Sequence, residues 1–109
     1  MGSPLQTKLE KQSRTLGADI LGAADLTNVK DFVCQQGGEY LERFPRAVSI
    51  GVHLLDGVVD GLYRHEDPAV ASTYLALYHT VNSRLDHIGL LLAKMIQDSG
   101  YSAYPVPAT

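Results

Sequence analysis

The sequence predicts one α/β domain: a small mixed sheet with a long C-terminal helix followed by a last short strand. Three observations carry this. Tyr74, Leu77, Tyr78, Val81, Leu85, Ile88, Leu92, Met95 and Ile96 keep one helical stripe. Arg46 to Leu54 alternates the large apolar residues Val48, Ile50, Val52 and Leu54 with Ala47, Ser49 and Gly51, as a strand does. Asp19-Ile20-Leu21-Gly22-Ala23-Ala24 reads as a second, short buried strand.

The elements follow in order. Leu5, Leu9, Gln12 and Leu16 recur near a 3.6-residue period between charged positions, which predicts an amphipathic first helix. Ser3 is placed to cap it, Pro4 suits its first turn and Gly17 ends it. The stretch 25–45 reads as loop-rich and as the flexible part of the chain; within it Thr27 caps a short helix that Gly37-Gly38 breaks. Leu55 to Tyr63 predicts another short helix, closed by Arg64-His65-Glu66-Asp67. Asp67-Pro68 is a strong helix start, with the carboxylate on the free N–H groups and proline in the first turn. The helix it opens stops at Gly100, a run of about 30 residues and about 45 Å, so it bends or covers a partner. In Tyr101 to Thr109 two prolines confine the last strand to an edge.

The 109 residues are 45% hydrophobic and 19% charged, enough for one domain over 1–109 and too few for two. A chain of this length buries about 65% of its unfolded surface and needs no metal or disulfide to hold a core. Met1-Gly2-Ser3 is compatible with a vector-derived start. Nine Lys and Arg against twelve Asp and Glu give a net charge of -3, which argues against nucleic acid as a partner of this segment. Its longest apolar run, Gly89 to Ala93, is far short of the roughly 20 residues that cross a bilayer, so no membrane partner is expected. With no secretory signal in view and Cys34 the one cysteine, a reducing, cytoplasmic location is expected.

The chemistry-bearing residues do not assemble into a familiar constellation. His79 and His87 would sit about 12 Å apart along one helix and cannot share a metal ion. Ser49 and Ser83 lack a Gly-x-Ser-x-Gly setting, and Gly17, Gly22 and Gly51 form no phosphate-binding loop. Cys34, without a neighbouring histidine or second cysteine, reads as an inert thiol. Four of the six tyrosines, Tyr74, Tyr78, Tyr101 and Tyr104, crowd the last third of the chain, which suits a core edge, an interface or a pocket wall.

Three segments in register carry a family resemblance: Leu16-Gly17-Ala18-Asp19-Ile20-Leu21-Gly22-Ala23-Ala24-Asp25-Leu26, then Phe44-Pro45-Arg46-Ala47-Val48-Ser49-Ile50-Gly51-Val52, then Tyr78-His79-Thr80-Val81-Asn82-Ser83-Arg84-Leu85-Asp86-His87-Ile88 running into Gly100-Tyr101-Ser102-Ala103-Tyr104-Pro105-Val106-Pro107-Ala108. From about Leu16 to Ala108 the chain resembles the N-terminal part of the iron–sulfur oxidoreductases related to epoxyqueuosine reductase and, more distantly, to corrinoid reductive dehalogenases. The resemblance implies an α/β domain that forms one part of a cobalamin-binding reductase, followed in full-length members by a ferredoxin-like module holding 4Fe-4S clusters. It places Tyr78, His79 and Asn82 as the residues that would face a cofactor, with Asp86 at a later polar position and Arg46 at the strand's entry. Those members continue past the Pro-x-Pro-Ala segment into a glycine-rich region and the cysteines, which this sequence does not contain.

The expectation is therefore a scaffold and pocket-wall domain of such a reductase, with no catalytic residue of its own, no metal site and no cofactor held by this chain by itself. A complementing cysteine-rich domain or chain is one expected partner. The rival reading is a small self-associating module, a homodimer that has lost the redox half, prompted by the wide apolar stripe and the clustered tyrosines. An enzyme using a flavin or corrinoid across a dimer interface has no visible polar constellation behind it.

Overall fold

In a computed structural model, residues 4–108 are described. Six regular elements follow one another: α1 (Pro4–Leu16), β1 (Ile20–Asp25), α2 (Lys30–Gly37), β2 (Arg46–Gly51), α3 (Asp56–Asp60) and α4 (Pro68–Asp98). Short 3-10 turns lie at Thr27–Val29, Glu39–Arg43 and Gly61–Arg64. This is a domain of mixed helix and strand with a long C-terminal helix, as the sequence predicts.

Glycine stops set the helix ends. At the end of α1, Gly17 N–H donates to the Arg14 carbonyl and Ala18 N–H to the Ser13 carbonyl, while Gly17 takes φ +112°. That pair of bonds is a Schellman closure, in which the positive φ belongs to the residue just past the helix. The same arrangement ends α4, where Gly100 N–H donates to Gln97 and Tyr101 N–H to Ile96 with Gly100 at φ +96°. The starts differ from expectation. Asp67 precedes α4 without capping it, because its carboxylate pairs with Arg64 Nη2 at 3.2 Å. Thr27 is not a cap acceptor: its N–H and its hydroxyl both donate to Asp25 Oδ1. The proposed cap from Ser3 lies outside the described residues.

β1 and β2 pair antiparallel, from Ile20 opposite Gly51 to Asp25 opposite Arg46. The expected mixed sheet is thus a two-stranded antiparallel ribbon. β2 stops at Gly51 rather than Leu54, since the Asp19 carboxylate accepts the His53 N–H at 2.6 Å and turns the chain away. The expected last strand is not formed either: residues 101–108 have no regular secondary structure. Pro105 and Pro107 lack the N–H groups that a ladder would use, and the tail instead anchors Ala108 N–H on Asp86 Oδ1 at 2.7 Å. The region read as loop-rich is largely helical, through the two 3-10 turns and α2.

Leu21 and Ile50 face each other in the ribbon and pack with Leu5, Leu16, Met95 and Ile96 around a buried cluster of Leu9, Ala18, Ile88 and Leu92. The inner face of the sheet therefore meets α1 and the C-terminal half of α4, while α3 and the turn after it lie against α4. The surface is large for the mass. Its 8094 Å² exceeds by about 2,200 Å² the roughly 5,900 Å² of a folded monomer of this size. The radius of gyration is 16.6 Å, where a closed domain of this length has about 13 Å.

Candidate functional site

Tyr78, His79 and Asn82 lie within about one turn of α4. Their helix starts where Pro68 fits its first turn and is held to the domain through Ile88, Leu92, Met95 and Ile96 of its C-terminal half. The Tyr78 ring lies 6.5 Å from Tyr74 at a tilt of 32° and meets His79 edge-on at 5.7 Å. Both Tyr78 and His79 are exposed, whereas Asn82 is half-buried, with Nδ2 covered and without a hydrogen-bond partner. The helix thus gathers two aromatic rings on its exposed side and hides the one amide donor beside them. Asp86 is committed to the tail through Ala108.

The tyrosines divide into two groups. Tyr74 and Tyr78 belong to α4, but Tyr104 joins Tyr40 and Phe44 at centroid distances of 5.8 and 6.1 Å, with the Arg43 guanidinium 3.9 Å from the centre of the Tyr40 ring. Sequence reasoning missed this second cluster. Its one signal was the aromatic spacing of Tyr40 and Phe44, four residues apart, since the partner Tyr104 comes from the far end of the chain. The rings fasten the tail to the 3-10 turn at Glu39–Arg43, and Tyr101 stays exposed.

Two titratable groups are displaced, and neither sits in a cleft. Hydrogen bonds from the Thr27 hydroxyl and N–H, with the Arg46 charge, hold Asp25 below the ordinary carboxylate value of 3.8. Arg46 is thereby a neighbour that steadies the end of the sheet. Desolvation, a hydrogen bond to Glu42 and the charges of Glu42, Glu39 and Asp31 push the Cys34 thiol above its ordinary 9.0. A raised thiol pKa means little thiolate at neutral pH and slow alkylation. The native chain is expected to react with a disulfide reagent severalfold more slowly than the urea-unfolded chain at the same pH, as a thiol assay will read.

Among the described residues no group of three or more His, Cys, Asp and Glu is placed to hold a metal ion, and one cysteine cannot ligate a 4Fe-4S cluster. The surface depressions beside Lys30, Tyr40 and Arg43 and beside Thr27 and Phe32 are shallow and open. A corrin ring does not fit the three α4 residues by themselves, because Tyr78 and His79 stand exposed and the Asn82 amide nitrogen is covered. No helix is long and apolar enough to cross a membrane among the described residues. No family model matches the chain, and neither the curated proteins nor the solved structures contain a match.

Proposed function

We propose that this chain is the scaffold and wall domain of an epoxyqueuosine-reductase-like iron–sulfur protein, working in a reducing, cytoplasmic setting and not catalysing by itself. The observation that carries the reading is the exposed pair of rings, Tyr78 and His79, on α4, in a chain whose whole surface exceeds that of a closed monomer by about 2,200 Å². Such a pair acquires a pocket when a second polypeptide stands opposite it. In this reading a complementing cysteine-rich domain or chain supplies the cluster ligands and the missing wall, and Tyr78 and His79 present their rings to a corrinoid between the two.

The test is co-expression with the cysteine-rich, ferredoxin-like part of an epoxyqueuosine-reductase-like protein. A one-to-one complex carrying the visible absorbance of iron–sulfur clusters and binding hydroxocobalamin is expected, while the chain alone binds neither hydroxocobalamin nor cob(II)alamin in an anaerobic titration. Replacing Tyr78 and His79 together by alanine is expected to weaken cobalamin binding by the complex at least tenfold and leave the complex intact. Failure of the two polypeptides to associate, or cobalamin binding unaffected by the double replacement, would overturn the reading.

A further inference from the structure

Residues 26–45 leave the sheet after β1 and return to it at β2 without adding to the core. Neither α2 nor the 3-10 turns on its two sides have a buried residue. α2 packs on those two turns, and it has no comparable packing on α1 or α4. A segment of this kind takes its stability from whatever ties it down. Its base is closed by the Leu26 N–H on the Pro45 carbonyl at 2.7 Å. Among the described residues, the ring contact that joins its outer part to the rest of the chain is Tyr104, at 5.8 Å from Tyr40 and 6.1 Å from Phe44.

The tail is held as sparsely. Tyr101 N–H belongs to the closure of α4, and from 102 to 107 no backbone group is bonded to another among the described residues. Pro105 and Pro107 have no N–H to give, and Val106 is 69% exposed. Two anchors hold it: the Tyr104 ring, and the Ala108 N–H on Asp86 Oδ1 at 2.7 Å. Asp86 precedes the end of α4 at Asp98 by twelve residues, about 18 Å along the axis. The tail therefore doubles back along α4 and joins that helix to the turn at Glu39–Arg43.

We infer that residues 101–108 are a strap that opens as one unit about Gly100, tying residues 39–44 to α4 when closed and releasing them when open. The anchors are four residues apart, so a tail that lifts from one loses the closeness that favours the other. Their strengths are thereby coupled, and the coupling is reciprocal. Closed, the strap keeps the Tyr40 and Phe44 rings occupied and the Asp86 carboxylate engaged. Open, it bares an aromatic pair beside the Arg43 guanidinium and frees a carboxylate seven residues from His79 on the same face of α4. The strap thus gates the polar groups of that face. It stands on its own contacts and does not rest on the role proposed for Tyr78 and His79.

Amide hydrogen exchange of the full chain, read residue by residue by NMR, is the experiment. Leu41 and Phe44 N–H groups are bonded within the turn and report on it. Tyr104→Ala is expected to speed exchange about tenfold at Leu41, Phe44 and the distant Ala108, since two ring contacts go with the side chain, while Ile88 and Leu92 keep the rates of the parent. Asp86→Ala, at the other anchor, is expected to speed exchange at Leu41 and Phe44 and to weaken the nuclear Overhauser contacts between the Tyr104 and Tyr40 rings. Tyr104→Phe, which keeps the ring, and Val106→Ala, exposed between the anchors, are expected to match the parent. Unchanged exchange at Ala108 in Tyr104→Ala overturns the inference, as does an effect of Asp86→Ala confined to Ala108. An equal rise at Ile88 and Leu92 overturns it too, by making the change a loss of global stability.

Discussion

Ile88→Ala is expected to lower the free energy of unfolding by about 2–5 kcal/mol, the range for truncating a large buried aliphatic side chain. Ile88 is wholly buried, and among the described residues its cluster has three other buried apolar members, Leu9, Ala18 and Leu92. So small a core has few neighbours able to relax into the space, and much of the cost is the cavity itself. Against a typical total of about 5–15 kcal/mol, the loss removes a substantial part of the stability. Leu90→Ala, two residues along the same helix but 58% exposed, is expected to change stability by less than about 0.5 kcal/mol. Urea unfolding followed by circular dichroism checks both, at one fixed protein concentration, because association adds to apparent stability. Equal midpoints for the two variants would mean that the C-terminal half of α4 is not the core face.

What the sequence disclosed about the fold follows from how local each cause is. Gly17 and Gly100 announced the ends of α1 and α4 because a helix closure needs positive φ at one position, whatever the rest of the chain does. The α4 stripe was legible for the same reason, since a 31-residue helix repeats its pattern many times. The caps were misassigned where a short side chain had two partners within reach. Asp67 chose the Arg64 guanidinium three residues back, and Thr27 donated to Asp25 instead of accepting. The missing last strand is a competition that sequence patterns do not express: Tyr104 is strand-like, but rings at Tyr40 and Phe44, remote in sequence, were available to it.

The candidate site was legible as positions and not as chemistry. Tyr78, His79 and Asn82 had to share one stretch of helix, since spacings of one and four residues leave no alternative. Whether they confronted a ligand depended on what stands opposite, and that is a tertiary fact. The structure separates them: two rings outward, one amide nitrogen covered. The outer sheet face shows the converse. Its small residues were visible in the alternation at 46–54, yet only the pairing with β1 places Gly22 and Ala24 beside Ala47 and Ser49 in one uncharged patch.

Gly17→Val is expected to cost about 1–3 kcal/mol, by strain at a backbone position that L-residues rarely adopt. Gly17 holds φ +112° with open space where a Cβ would stand, so the penalty comes from the backbone and not from a clash with a neighbour. Two events depend on that dihedral. The Schellman bonds from Gly17 and Ala18 close α1, and the reversal delivers Ala18 into the core and Asp19 to the sheet, where its N–H reaches the Gly51 carbonyl at 2.9 Å and its carboxylate reaches His53. If valine forces φ negative, the chain leaves α1 in another direction and the first rungs of the ribbon lose their register. Gly57→Val, a glycine equally open to solvent but without positive φ, separates that strain from the mere loss of glycine's flexibility. Gly17→Val is expected to shift the urea midpoint by more than Gly57→Val and to raise hydrogen exchange selectively at residues 18–21; a uniform rise across the chain would place the damage in global stability instead of the α1–β1 turn.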